Sequence, residues 1–237
     1  MDKKQIKGPM ELIKESLNIY FKGENLGYLI KATFAAYGLA LIPIIVTVFV
    51  FMVWAGLLTT NGNGAMIALM TFVGIACLLI SIIAALWAQI ALIIAVNGVI
   101  KGEMKPISEI LKSAWSGLIG RFFVLNLLVG LIVFFGFILL IIPGIIFAIW
   151  FMFSTYILIF EKKGILESIG RSRELVSGYF WSVLGYTALF QILTMIVVGL
   201  LNMVIPLVGS LITVVFSAYF IVFPLLLYRE ILAAKAK

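Results

Sequence analysis

The chain has 237 residues, of which 64% are hydrophobic and 11% charged, with a formal net charge of +7. Soluble domains hold roughly 45–50% apolar residues, and a single water-exposed fold of this length cannot hide such an excess. The composition excludes a soluble domain and leaves one integral membrane domain, all-α, covering residues 1–237.

Residues 1–26, "MDKKQIKGPMELIKESLNIYFKGENL", are polar or amphipathic and lack the apolar core and small-residue site of a cleavable leader. Within them Leu12, Ile13, Leu17, Tyr20 and Phe21 form one apolar stripe at helical spacing. A surface helix is expected here, with the first spanning helix serving as its own insertion signal. Crossing a bilayer takes about 20 apolar residues. Runs that meet this, or nearly, cover 27–59, 66–100, 121–142, 144–160, 179–204 and 207–228, which predicts six transmembrane helices. Three separators are tight and uncharged: "TTNGNG" at 59–64, "IPG" at 142–144 and "IPLVG" at 205–209. Pro43 lies inside the first run and reads as a kink in one long helix, because a turn there would spoil the parity of the crossings.

The other separators are long and basic. Residues 1–31 carry six Lys, 101–121 three Lys and an Arg, 161–174 two Lys and two Arg, and 229–237 two Lys and an Arg. These are all seventeen basic residues of the chain. Under the positive-inside rule both termini are expected in the cytoplasm. The expected location is the plasma (cytoplasmic or inner) membrane, as a multi-pass protein.

Three segments resemble one another: "ELIKESLNIYFKGENLGYLI" from Glu11, "EILKSAWSGLIGRFFVLNLL" from Glu109 and "ESIGRSRELVSGYFWSVLGY" from Glu167. Each opens on Glu and enters a span after a glycine-containing break. Ile13, Leu111 and Ile169 align, as do Ser16, Ala114 and Ser172. The repeat predicts three transmembrane hairpins, each preceded by a cytoplasmic amphipathic interfacial helix. The units run over about 9–100, 106–160 and 164–228, with a tail at 229–237. In the second copy Ile107, Ile110, Leu111, Ala114, Trp115, Leu118 and Ile119 fall on one helical face, which puts Trp115 at headgroup depth.

The third copy is the charged island "EKKGILESIGRSRELVSGYFW", residues 161–181. Glu167 and Arg171 are spaced i, i+4 to pair. Arg173 falls where the other copies carry Leu17 and Trp115. Snorkelling accounts for a cation there; a fork onto a lipid phosphate or a partner's carboxylate is the alternative. Arg171, Arg173, Lys162, Lys163 and Trp115 are the candidate contacts to lipid or partner.

No predicted span holds Asp, Glu, Lys, Arg or His in its interior, and the chain has no His at all. Its intramembrane polar positions are Gln89, Asn97, Asn126, Gln191 and Asn202. Such amides are expected to bond between helices, with a solute path as the alternative reading. Cys77, Ser81, Ala84, Ala88, Ala91, Ala95 and Gly98 make a stripe of small residues that predicts a central, closely packed second span. Cys77 itself reads as a packing residue. Without His, and with no acidic cluster at metal-ligand spacing, nothing points to catalysis, a cofactor, a metal or a nucleic acid.

The stretch "LLIIPGIIFAIWFMFSTYILIFEKKGILESIGRSRELVSGYFWSVLGY", residues 139–186, resembles the glycerophosphoryl diester phosphodiesterase membrane-domain family and the similar YciC-like bacterial inner-membrane proteins. Pro143, Gly144, Glu161, Ser172, Leu175 and Gly178 carry the pattern. The resemblance implies a polytopic membrane domain, joined in some members to a separate catalytic domain that these residues do not contain. The resulting expectation is a non-catalytic scaffold or accessory protein contacting anionic lipid headgroups or a membrane-protein partner. A transporter or channel for a small uncharged or lipid-like solute, with its path near Asn126 and Gln191, is the alternative.

Overall fold

The computed structural model describes residues 6–59, 63–115, 117–204, 214 and 216–235, and among these every regular element is helical. Helix α1, Pro9–Phe21, starts on a proline whose missing N–H costs nothing in a first turn. Helix α2, Gly23–Thr59, runs unbroken through Pro43. Its Thr47 hydroxyl donates to the Pro43 carbonyl at 2.8 Å and lies 2.8 Å from the Ser81 hydroxyl of the next helix. Helix α3, Gly64–Lys101, is capped by the Asn63 side chain, which accepts from the Ala65 N–H. It closes in a Schellman turn: Gly102 takes φ 74, its N–H donates to Val99, and the Glu103 N–H donates to Gly98 at 2.8 Å. Helix α4, Ile107–Trp115, stops before Gly117 at φ 69, so Leu118 and Ile119 begin α5 (Leu118–Leu139) instead of extending the face of α4.

The expected turn at 142–144 lies two residues earlier, at extended Leu140. Pro143 sits in the first turn of α6, Ile141–Phe151, where no intrahelical N–H is needed. Gly136 and Gly144 bring α5 and α6 together. A Cβ at Gly144 would lie 2.5 Å from the Phe137 ring, and one at Gly136 would lie 3.0 Å from the Gly144 Cα. After α6 come a short turn α7 (Ser154–Tyr156), a π-helical turn (Ile157–Glu161), α8 (Ile165–Val176) and α9 (Phe180–Val204). A 3₁₀ turn, Phe216–Ala218, leads into α10, Tyr219–Lys235, so positions 229–235 of the expected tail are helix. The "IPLVG" separator and residues 60–62 lie outside the described residues.

Six helical stretches are long and apolar enough to cross a membrane: Gly23–Thr59, Gly64–Lys101, Leu118–Leu139, Ile141–Glu161, Phe180–Met203 and Phe216–Lys235. This is a multi-pass membrane protein. Burial is divided along the two longest helices. Beyond Ala40, α2 buries only Thr47, and ahead of Ala88, α3 buries only Gly74 and Ser81. The outward-facing lengths are about 28 and 36 Å at about 1.5 Å per residue, close to a hydrocarbon slab of about 30 Å. Phe72 there is 73% exposed, which apolar solvent tolerates and water would not. The other halves are enclosed: α3 packs against α2, α4, α5 and α10.

The four basic segments meet at the enclosed end. The Tyr28 hydroxyl donates to the Lys105 carbonyl, Lys7 pairs with Glu230 at 3.2 Å, Arg229 donates to Asn97 and Tyr228 to Glu161. Helix α1 runs antiparallel along α10, pairing Lys7 with Glu230, Ser16 with Tyr219 and Tyr20 with Phe216. Of the positions aligned above, Ile13 is buried whereas Leu111 and Ile169 are half-buried, and two other sets match more closely. Leu12, Ile110 and Ser168 are buried, and Ser16, Ala114 and Ser172 are completely so.

Candidate functional site

The charged island closes over a break in the fourth apolar stretch. There α6 ends at Phe151, and α7 and a π-helical turn carry the chain to Glu161. Such wide turns loosen the regular i→i−4 ladder and recur at functional positions. Lys162 follows at φ 54, a left-handed conformation that costs a non-glycine residue about 1–2 kcal/mol.

Glu161 is the hub. It is 22% exposed and lies 3.5 Å from the Lys163 ammonium and 3.9 Å from Arg171 Nε. The Tyr228 hydroxyl donates to its second oxygen at 2.9 Å, and the Tyr228 ring rests on Phe153 and Tyr156. Arg171 also donates to Glu174 at 3.3 Å. The expected Glu167–Arg171 pair does not form, because Glu167 turns back to accept from the Gly164 N–H and caps α8. At the far end of α8 the Lys235 ammonium donates to the Glu174 and Ser177 carbonyls. Ser172, fully buried, donates to the Trp150 carbonyl at 2.7 Å and accepts the Phe153 N–H at 3.2 Å.

Arg173 behaves differently. Its guanidinium sits 4.6 Å over the Trp150 ring, the side chain is exposed, and no carboxylate lies within ion-pair distance among the described residues. A cation over an aromatic face is held by the ring's quadrupole and keeps its N–H donors for other acceptors. Lys162 is exposed and likewise without an ion pair among the described residues. The island thus separates two neutralised cations, Arg171 and Lys163, from two available ones, Arg173 and Lys162. Trp115 stands apart on α4, 63% exposed and edge-on to Trp87 at 6.4 Å.

The intramembrane amides do not converge. Gln89 and Gln191 face outward. Asn126 and Asn202 donate to carbonyls four residues back in their own helices, Phe122 and Val198, each at 2.8 Å. Among the described residues Asn97 alone of the five bonds across helices, accepting from Arg229 at 2.5 Å. Of the small-residue stripe, Ala88, Ala91 and Ala95 are buried, Ala84 and Gly98 half-buried, and Cys77 a half-buried free thiol.

Trp150, Tyr228 and Arg229 are the functional neighbours that sequence reasoning missed. None of the three carries a local cue: Trp150 stands mid-run in an apolar stretch, and Tyr228 and Arg229 stand where the last apolar run ends. No family model, no curated protein and no solved structure matches the chain.

Proposed function

We propose that the chain is a non-catalytic scaffold or accessory protein of the plasma (cytoplasmic or inner) membrane that holds anionic lipid headgroups on a basic cytoplasmic face. In this reading both termini are cytoplasmic. Helices α1, α4 and α8 are interfacial helices, each introducing one transmembrane hairpin, and a membrane-protein partner can share the same face. The family likeness belongs to this proposal too, and it extends to the membrane architecture and not to the phosphodiesterase activity.

The observation that carries the proposal is the pairing of Arg173 with Trp150. A half-buried aromatic platform presents an exposed cation that no carboxylate among the described residues neutralises. A phosphate can accept from that fork at little cost, whereas at Arg171 it would have to displace Glu161 and Glu174. Outward or self-bonded amides in the spans give the transporter reading no comparable support.

The test is a titration of the full chain in detergent micelles with short-chain phosphatidylglycerol and, separately, phosphatidylcholine. The expected result is preference for the anionic lipid, reduced about twentyfold or more in a Lys162→Gln/Arg173→Gln double variant, at about 1 kcal/mol per charge. Equal affinity for both lipids, or an unaffected double variant, would refute the reading.

A further inference from the structure

Away from the charged island, α9 carries a polar group that the fold leaves unserved. Asn126 and Asn202 bond carbonyls of their own helices, and Asn97 bonds Arg229. Gln191 is exposed and makes no hydrogen bond among the described residues. It stands about 100° round the helix from Phe190, whose ring stacks on Phe223 at 4.2 Å, and so lies off the face that α9 packs on α10.

Its depth makes that exposure costly. Trp181, at the start of α9, is 79% exposed and suits the headgroup level that indoles favour. Gln191 is ten residues further on. That is about 15 Å at about 1.5 Å per residue, near the middle of a hydrocarbon slab about 30 Å thick. An amide there gives up water and gains nothing from acyl tails in return. Gln89, the other outward amide, is two residues from Trp87, whose ring meets that of exposed Trp115 at 6.4 Å. An indole pair of that kind marks the boundary, where water and headgroups can serve an amide.

The neighbours of Gln191 suit a second helix. Leu184, Ala188, Gln191 and Met195 recur at steps of four, three and four, a narrow seam along α9. Ala188 and Met195 are exposed and Leu184 half-buried, and a Cβ added at Gly185 beside them would meet nothing within 4 Å. With no hydrophobic drive between helices in lipid, association relies on such small residues for close approach and on polar side chains for hydrogen bonds.

The membrane itself selects the partner. Copies of one chain insert in the same direction, so a two-fold axis along the bilayer normal brings each residue to its counterpart's depth. An amide is donor and acceptor at once, so Gln191 facing Gln191 closes two hydrogen bonds and leaves neither copy unserved. We propose that α9 is a self-association surface, on which two copies of this chain pack in parallel with their Gln191 amides bonded one turn beyond Ala188. The surface is separate from the basic face, and the proposal goes beyond lipid binding there without depending on it.

The experiment is Förster transfer between full chains labelled with donor or acceptor at the C-terminus, in phosphatidylcholine vesicles at increasing dilution with lipid. Neutral lipid keeps headgroup charge out of the measurement. Wild type should show transfer that falls along a dimer curve. Gln191→Leu should weaken association about tenfold, which is about 1.4 kcal/mol for the two bonds. It removes no intramolecular bond and suits a lipid-facing position, so it should melt like wild type. Gln89→Leu and Lys162→Gln/Arg173→Gln should associate like wild type. A second measurement reads the geometry. In a Cys77→Ala background, Ala188→Cys should give a disulfide-linked dimer under mild oxidation, and Leu131→Cys, exposed on α5, should not. Wild type without dilution-dependent transfer, or Gln191→Leu associating as tightly as wild type, overturns the proposal. So does equal weakening by Gln89→Leu or by the double variant, or Leu131→Cys linking as readily as Ala188→Cys.

Discussion

In α4 the positions turned fully inward are Ile110 and Ala114, whereas the matching positions of α8 are Ser168 and Ser172. Helix α4 docks through apolar contact, helped by the Trp87 indole N–H on its Leu111 carbonyl at 3.0 Å. Helix α8 adds hydrogen bonds to the apolar contacts of Leu175 and Val176: Ser172 reaches the Trp150 carbonyl and receives the Phe153 N–H, while a looser ion pair, Arg171 to Glu161 at 3.9 Å, lies on the flank. The difference follows from what each helix faces. Helix α3 is continuous opposite α4, so its backbone is satisfied internally. The stretch opposite α8 is interrupted at Met152–Phe153, and its freed backbone groups need partners that leucine or alanine could not supply. One backbone placement therefore serves two chemistries, and the polar version ends in an available cation.

Substituting leucine at the equivalent small positions puts the greatest load on that comparison. Ala114→Leu only overpacks, at about 1–3 kcal/mol. Ser172→Leu also orphans the Phe153 N–H, adding about 1–3 kcal/mol. Thermal unfolding in detergent should therefore rank Ser172→Leu well below Ala114→Leu, and equal losses would erase the distinction. A smaller effect, about 1–2 kcal/mol, is expected for Glu161→Gln, which turns a charge-assisted bond from Tyr228 into a neutral one and weakens the hold on Arg171. The same substitution on the α4 side, Glu109→Gln, breaks only an exposed pair with Lys105 and should leave the melting curve in place.

A small, pH-dependent effect concerns α1. Hydrogen bonds that the Lys7 ammonium donates to Glu15 and then to Glu230 raise it above its ordinary value of 10.5. Their contribution is fully present below that value and is lost as pH climbs through the raised one. Being largely exposed, it is worth less than about 1 kcal/mol. Stability measured from pH 8 to 12 should show wild type exceeding Lys7→Met at the lower end and meeting it at the upper. A gap that persists at pH 12 would assign the effect to packing.

Much of this architecture was legible from composition and spacing. The apolar runs and the unbroken helix through Pro43 follow from helical rise and bilayer thickness, whereas the small-residue stripe of α3 is enclosed throughout only from Ala88 to Ala95. The turn at Leu140 was misplaced because proline is as much at home in a helix's first turn as in the turn before it. The amides Asn126 and Asn202 were expected to reach across helices, but a carbonyl four residues back is already within range. At the site, Arg173 was singled out by its misfit on an apolar face, while its platform Trp150 stands 23 residues away in an apolar run that offers no local cue. Tyr228 and Glu161, 67 residues apart, meet only through the fold.

The lopsided burial of α2 and α3 bears on how the molecule meets bilayers of unequal depth. Their outer halves touch little besides each other, so the lipid boundary can slide a few ångströms along them without opening any buried contact. A mismatch that would pry apart a uniformly packed bundle is here taken up by side chains already facing acyl tails. The assembly at the basic end keeps its geometry while the membrane around it thickens or thins.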